Sequence, residues 1–236
     1  MRYPRVSGLV SVVVTNYNKA DYIEECLNSI AKQTYKPWEL IIIDDHSTDH
    51  SRERIERWLK GRSYPPACSA LFIPLPRNVG FSGALSHGYF MSRGEYIAVQ
   101  DSDDWSHPDR LHKQVEHLKA NPHIDLVGSN YTAFKVDAEG NLQYTEPKWL
   151  KYGEHIMTSY NKGRHCICHG TLLFRGQLFD SMGGPTRKMD GAEDYEFIAK
   201  SLANQAKIDN LRDVLYYYRL HPDQRSREFY SRKGGK

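Results

Sequence analysis

The chain of 236 residues is 26% charged, 39% hydrophobic and 12% aromatic, with a formal charge of +3 and four cysteines. No basic stripe is dense enough for nucleic acid, the cysteines are too few for a disulfide framework, and the longest apolar run, Leu9 to Val14, broken by Ser11, is far too short to span a bilayer. One cytoplasmic α/β domain with reduced thiols is expected, with attachment to the inner face of a membrane or to further domains left open.

Leu9 to Val14 is a β-branched run of parallel-strand type, and it ends in Thr15-Asn16-Tyr17-Asn18. Asp21 and Glu24 predict a capping box for a helix in which Ile23, Leu27, Ile30 and Ala31 recur at helical spacing. Glu39 to Ile43 predicts a second strand. It runs into Asp44-Asp45-His46-Ser47-Thr48-Asp49 and a helical segment over 51–59, with Asp49 expected as its cap. A short strand is predicted over 70–73, and Asn78-Val79-Gly80 opens a helix reaching Ser92. Glu95 to Gln100 then reads as a buried strand, ending in Asp101-Ser102-Asp103-Asp104-Trp105, and Pro108 is expected as the first residue of a helix to Ala120. Strands alternating with helices give a parallel sheet, in which ligands bind outside the carboxyl ends of the strands. Three polar clusters fall at such ends, so one pocket can collect them.

Beyond Ala120 the alternation weakens into a mixed half. Strand is predicted over 124–136, a turn over 137–141, a return over 142–144, a short strand over 171–174, a helix over 192–203 that opens with Glu193 and Asp194, and a last strand over 214–219. Leu150 to Arg164 has no clear pattern, and the charged, Gly-ended tail from Arg225 is expected to fray.

Three carboxylates within four residues, Asp101, Asp103 and Asp104, repel one another; a cation, hydrogen bonds or raised pKa values must hold them. Hard oxygen ligands suit Mg2+ or Mn2+, with positions left for a diphosphate. An isolated D-x-D is also compatible with a solvated acidic turn. The zinc reading of His165-Cys166-Ile167-Cys168-His169 is disfavoured because no second ligand pair accompanies it, and a sheet segment with His169 near the substrate is expected instead.

Taken together, Ser11 to Lys19, Glu39 to Asp49, Asn78-Val79-Gly80, Gly94 to Ile97, Asp101 to Asp104, Glu193-Asp194 and Tyr218-Arg219-Leu220-His221 resemble the family 2 glycosyltransferases. These are inverting enzymes of the GT-A fold, here most similar to those that build bacterial spore coats, capsules and lipopolysaccharide. The resemblance implies a Rossmann-like, mainly parallel central sheet flanked by helices, with a smaller mixed acceptor-side sheet. It implies a nucleotide-sugar-binding half over 1–120, an acceptor half over 121–225 and a tail over 226–236.

The same resemblance assigns roles. Tyr17 stacks on the nucleobase beside Thr15 and Asn16, and Lys19 reaches a phosphate or the base. Asp45 accepts from the base's ring N–H, which favours UDP while leaving dTDP or GDP open. Asn78 and Gly80 bring a helix amino terminus to the donor, although Ser86 stands where relatives often carry asparagine. Asp101 takes the ribose, and Asp103, joined by Asp104 and His221, holds Mn2+ or Mg2+. Asp194 is the base, and Glu193 binds the acceptor or shares that function. Read without the family, Tyr17 is a loop tyrosine, Lys19 a solvated lysine, His221 a surface histidine, and Glu193 and Asp194 complement a helix dipole.

The implied function is metal-dependent, inverting transfer of a sugar from a UDP-sugar to a glycan or lipid-linked hydroxyl in surface polysaccharide biosynthesis. A catalytically silent nucleotide-sugar-binding module is the alternative. A nucleotidyltransferase is disfavoured because Thr15-Asn16-Tyr17-Asn18 is not a Gly-rich phosphate loop.

Overall fold

The computed structural model describes residues 4–186 and 191–226. Four strands form the parallel part of the sheet: β1 (Val6–Asn16), β2 (Trp38–Asp44), β3 (Ser69–Pro74) and β4 (Gly94–Asp101), in the spatial order β3-β2-β1-β4. Alternate residues of β1 supply two different cores. Val10, Val12 and Val14 pack with residues of α1 (Ile23–Ala31), α2 (Ser51–Lys60) and α4 (Arg110–Ala120). Val13 faces the other way, toward α3 (Phe81–Met91). A sheet covered on both faces needs continuous apolar strands, which is the pattern the sequence carries. On that second face Gly88 permits α3 to approach closely, since a Cβ there would lie 2.2 Å from a methyl of Val13.

The register levels the strand ends. Thr15 pairs with Ile43 and with Asp101, and Asn16 with Asp44, so the polar clusters after β1, β2 and β4 share one rim. The mixed half continues the same sheet. It comprises β5 (Trp105–Ser106), β6 (Leu126–Val136), β7 (Leu142–Thr145), α5 (Glu154–Asn161), a 3-10 turn at His169–Thr171, β8 (Leu173–Arg175), α6 (Gly176–Met182), α7 (Glu193–Ala203) and β9 (Ile208–Arg219). The sheet runs on from β4 as β8-β6-β9-β5, with β7 beside β6. β8 is antiparallel to β4 and β6, whereas β9 is parallel to β6.

Several local expectations are corrected. No capping box opens α1: Tyr22 is its N-cap without a side-chain cap, and Asp21 lies 3.6 Å from Arg54. α4 begins at Arg110 rather than Pro108, because the His107 N–H is still bound to Leu215 of β9 at 3.0 Å. The segment around His165 is a loop leading into a 3-10 turn rather than a sheet segment. α5 lies within the patternless stretch; only Ile156 and Tyr160 of its residues are buried, too few to print a periodicity. Arg225, expected to begin a frayed tail, instead forms an ion pair with Glu193, and the remainder of that tail from 227 lies outside the described residues. No helix among the described residues is long and apolar enough to cross a membrane.

Candidate active site

The acidic turn is clamped from beneath. Gln100 Nε2 donates to the carbonyls of Asp101 and Asp104 at 3.1 and 3.2 Å, while its Oε1 accepts from Ser106 Oγ at 2.6 Å and from Arg110 at 3.1 Å. Arg110 is 1% exposed, and burial lowers its pKa to about 10, so it remains a cation under the acids at neutral pH. None of Gln100, Ser106 and Arg110 was singled out by sequence reasoning, and their signal is only their closeness to Asp101.

The three acids are held in different ways. The Asp101 N–H donates to the Tyr216 hydroxyl at 3.2 Å, and Asp101 Oδ1 lies 3.8 Å from His169 Nδ1. Asp103 Oδ2 lies 3.0 Å from His221 Nε2 and 3.6 Å from Lys19 Nζ. Burial pushes the Asp103 carboxyl up, but the His221 hydrogen bond and the Lys19 charge outweigh it and hold it below the ordinary value. Asp104 is 2% exposed; its Oδ1 accepts the Arg219 N–H at 2.7 Å and its Oδ2 has no hydrogen-bond partner. Burial, then repulsion from Asp103 and Asp101, raises its pKa well above the carboxylate range. The structure therefore brings Asp103 and His221 together and turns Asp104 toward the β9 backbone.

Among the described residues no three His, Cys, Asp or Glu side chains converge as a metal cluster. The Asp103–His221 pair nevertheless fits a divalent cation that draws most of its ligands from water and phosphate oxygens, as Mg2+ and Mn2+ sites commonly do. The unpartnered His221 Nδ1 leaves that ring free to change its hydrogen bonding when such an ion arrives.

Along the rim, Tyr17 is 47% exposed, whereas Thr15 and Asn16 are buried. Asn16 Nδ2 bonds inward to Asp44 at 2.9 Å and to Ser47 at 3.1 Å. Asp45 is 4% exposed and its Oδ1 accepts the Val79 N–H at 2.6 Å; burial raises its pKa despite the N–H groups of Val79 and Gly80. Asn78 Nδ2 bonds to the Asp45 carbonyl at 3.1 Å, and Gly80, at φ 81°, is the N-cap of α3. A side chain would be strained at that φ, which is why glycine stands there. Lys19 also donates to the Asp223 carbonyl at 2.7 Å, tying the acid turn to the segment after β9.

Glu193 and Asp194, at the start of α7, diverge. Glu193 is 4% exposed, paired with Arg225, and accepts the Gly191 N–H at 3.1 Å. Asp194 Oδ2 lies 3.0 Å from His165 Nε2, and its Oδ1 accepts the Tyr195 N–H at 2.7 Å. Burial raises this carboxyl, but the His165 hydrogen bond leads the opposing effects that bring it down to about 2. His169 lies between the two acid sites: it faces Asp101, and its charge also acts on Asp194.

A parallel sheet with polar clusters on one rim, an acid turn after β4 and a mixed half that continues the sheet is the layout of the GT-A fold. Solved structures show that fold. The chain superposes on S. aureus TarS 1-349 in complex with UDP-GlcNAc with a TM-score of 0.72 at 22% identity, over 92% of this chain and 60% of that one. It matches the mannosyltransferase PcManGT from Pyrobaculum calidifontis, in complex with GDP-Man and Mn2+, with a TM-score of 0.70 at 23% identity, over 98% of this chain and 61% of that one. An uncharacterized glycosyltransferase of Haemophilus influenzae is 32% identical over 228 residues, covering 92% of this chain and 67% of the relative. The model of glycosyl transferase family 2 matches residues 11–183. The chain belongs to that family and is a glycosyltransferase.

Proposed function

We propose that the chain moves a sugar from a UDP-sugar to a hydroxyl of a glycan or lipid-linked acceptor, with inversion and with Mn2+ or Mg2+ as cofactor, in the cytoplasm or at the inner face of the membrane. The observation that carries this reading is the pair of acid sites flanking His169. Asp101 and Asp103 stand on the rim beside Lys19, His169 and His221, and Asp194 stands apart, ionised, on α7.

On the donor side, exposed Tyr17 receives the base, and Asp45, anchored through one oxygen to Val79, keeps its other oxygen for a ring N–H. A carboxylate at that point supports uracil over cytosine, and the TarS complex with UDP-GlcNAc agrees with that preference. Asp101 takes the ribose, Asn78 and Gly80 lie at the donor's edge, and Lys19 supplies a point charge to the diphosphate. Asp103 and His221 would hold the ion, which supplies neutralisation of the charge that builds on the leaving diphosphate. On the other face Asp194 takes the proton of the acceptor hydroxyl. That oxygen forms its bond to the anomeric carbon as the bond from the anomeric carbon to the phosphate oxygen breaks, and the nucleoside diphosphate departs. Asp104, turned to β9, supports the turn, and Glu193 holds Arg225.

Calorimetric titration with UDP, dTDP, GDP and CDP, each with and without Mn2+, tests the donor reading. UDP is expected to bind, with affinity falling at least about tenfold without metal or in Asp103→Ala. Preference for GDP overturns the nucleotide assignment, and metal-independent binding overturns the cofactor.

A further inference from the structure

The carboxylate on α7 is the end of a chain of three side chains. Asp194 Oδ2 lies 3.0 Å from His165 Nε2, and the other ring nitrogen of His165 lies 2.6 Å from the Tyr160 hydroxyl. Because the Asp194 carboxylate can only accept, His165 presents its Nε2–H to it; Tyr160 is 7% exposed and burial pushes its phenol far up, so it keeps its hydrogen. Its own hydrogen therefore goes to His165 Nδ1. A ring that accepts at Nδ1 carries its proton on Nε2, and that N–H is the one aimed at Asp194. Packing fixes the ring plane: Tyr160 stacks on Tyr195 at 5.3 Å, and Trp149 lies 5.4 Å from the His165 ring.

We propose that His165 is the positioning residue of the transfer reaction: backed by Tyr160, it orients the Asp194 carboxylate and keeps it anionic for the incoming hydroxyl. This inference rests on Asp194 being the base. Other described groups also act on the carboxylate. His169 and the Tyr195 N–H act in the same direction as His165, while Tyr160 and Cys168 act on it only through their ionised forms, which burial suppresses. The cost is a weaker base; the gain is a base that is fully ionised at neutral pH and already aimed. The proton taken from the acceptor stays on Asp194.

The sign of the pH dependence follows. With His165 present the acid limb of the base lies near the Asp194 value of about 2, outside the working range. With the imidazole removed, burial is opposed less and the limb moves up. The test uses slow hydrolysis of UDP-GlcNAc, UDP-glucose and UDP-galactose with Mn2+, where water replaces the acceptor. His165→Phe is expected to lose about tenfold or more in kcat at pH 7 with donor KM unchanged, and to show an acid limb between about pH 4 and 6 that the parent lacks. His165→Gln, whose amide places a neutral donor near the Nε2 position, is expected to restore most of the rate, and Tyr160→Phe to lose a few-fold. Nitrogen-15 spectra of the unmodified protein are expected to show His165 as the Nε2–H tautomer. An Nδ1–H tautomer, or a His165→Phe profile within about twofold of the parent at every pH, overturns the proposal. Turnover retained in Asp194→Asn overturns the base assignment instead, and the tautomer measurement keeps the two failures apart.

Discussion

The rim proposed to bind the donor and the wall proposed to face the acceptor are built in opposite ways. On the rim, side chains leave adjacent parallel strands at matched register, and neighbours bond them inward: Asn16 to Asp44, Asp44 to Arg52 at 2.8 Å, Asp45 to Val79. On the wall, the links stand on loops and a helix start rather than on paired strands: His165, in a loop, reaches Asp194 at the start of α7, and Arg225, beyond β9, reaches Glu193. The rim is rigid because the backbone makes it so. The wall is held by a few polar links, and each link is a place where selectivity can change without disturbing the sheet.

The sharpest way to break this comparison is at the wall's acid. Asp194→Asn is expected to lower kcat by about a thousandfold while UDP binding stays within about twofold, read by single-turnover assay and calorimetry. A parallel loss of UDP affinity would show that wall and rim are one unit. Next in size is Gln100→Leu, which leaves two carbonyls without their side-chain donor and takes one buried acceptor from both Ser106 and Arg110 beneath the rim. A loss of about 2–4 kcal/mol in denaturant unfolding is expected, with UDP affinity falling as well. The smallest expected effect is Tyr17→Ala, about tenfold in UDP affinity with no change in stability, because the ring is exposed and only stacking is lost. A drop in melting temperature there would give Tyr17 a structural role.

The same contrast explains what could be read in advance. The runs Leu9 to Val14, Glu39 to Ile43 and Glu95 to Gln100 announce strands buried on both faces, and parallel pairing alone places the polar clusters that follow them on one rim. The acid cluster was legible as a problem of repulsion, and the structure answers it with three devices: the Tyr216 hydroxyl donating to Asp101 Oδ2 at 3.5 Å, His221 and Lys19 at Asp103, and a raised pKa at Asp104. The wall was not legible. α5 buries too few residues to give a period, and a histidine in a loop carries no mark of the aspartate it will meet. Arg225 read as the start of a tail because its partner Glu193 lies on another element. Periodicity reports backbone; pairing of polar side chains across the chain has no local signature.

β9 is the last strand, yet in the sheet it lies between β6 and β5, which precede it in the chain. Tyr216 and Arg219 reach Asp101 and Asp104 from β9, and His221 follows it. During synthesis the first half can emerge from the ribosome with its sheet order β3-β2-β1-β4 complete while the acid turn still lacks these partners. Completion of the acid turn is thereby deferred until β9 has been made, and a nascent chain stalled ahead of Ile208 would hold Asp101, Asp103 and Asp104 without Tyr216, His221 and Arg219.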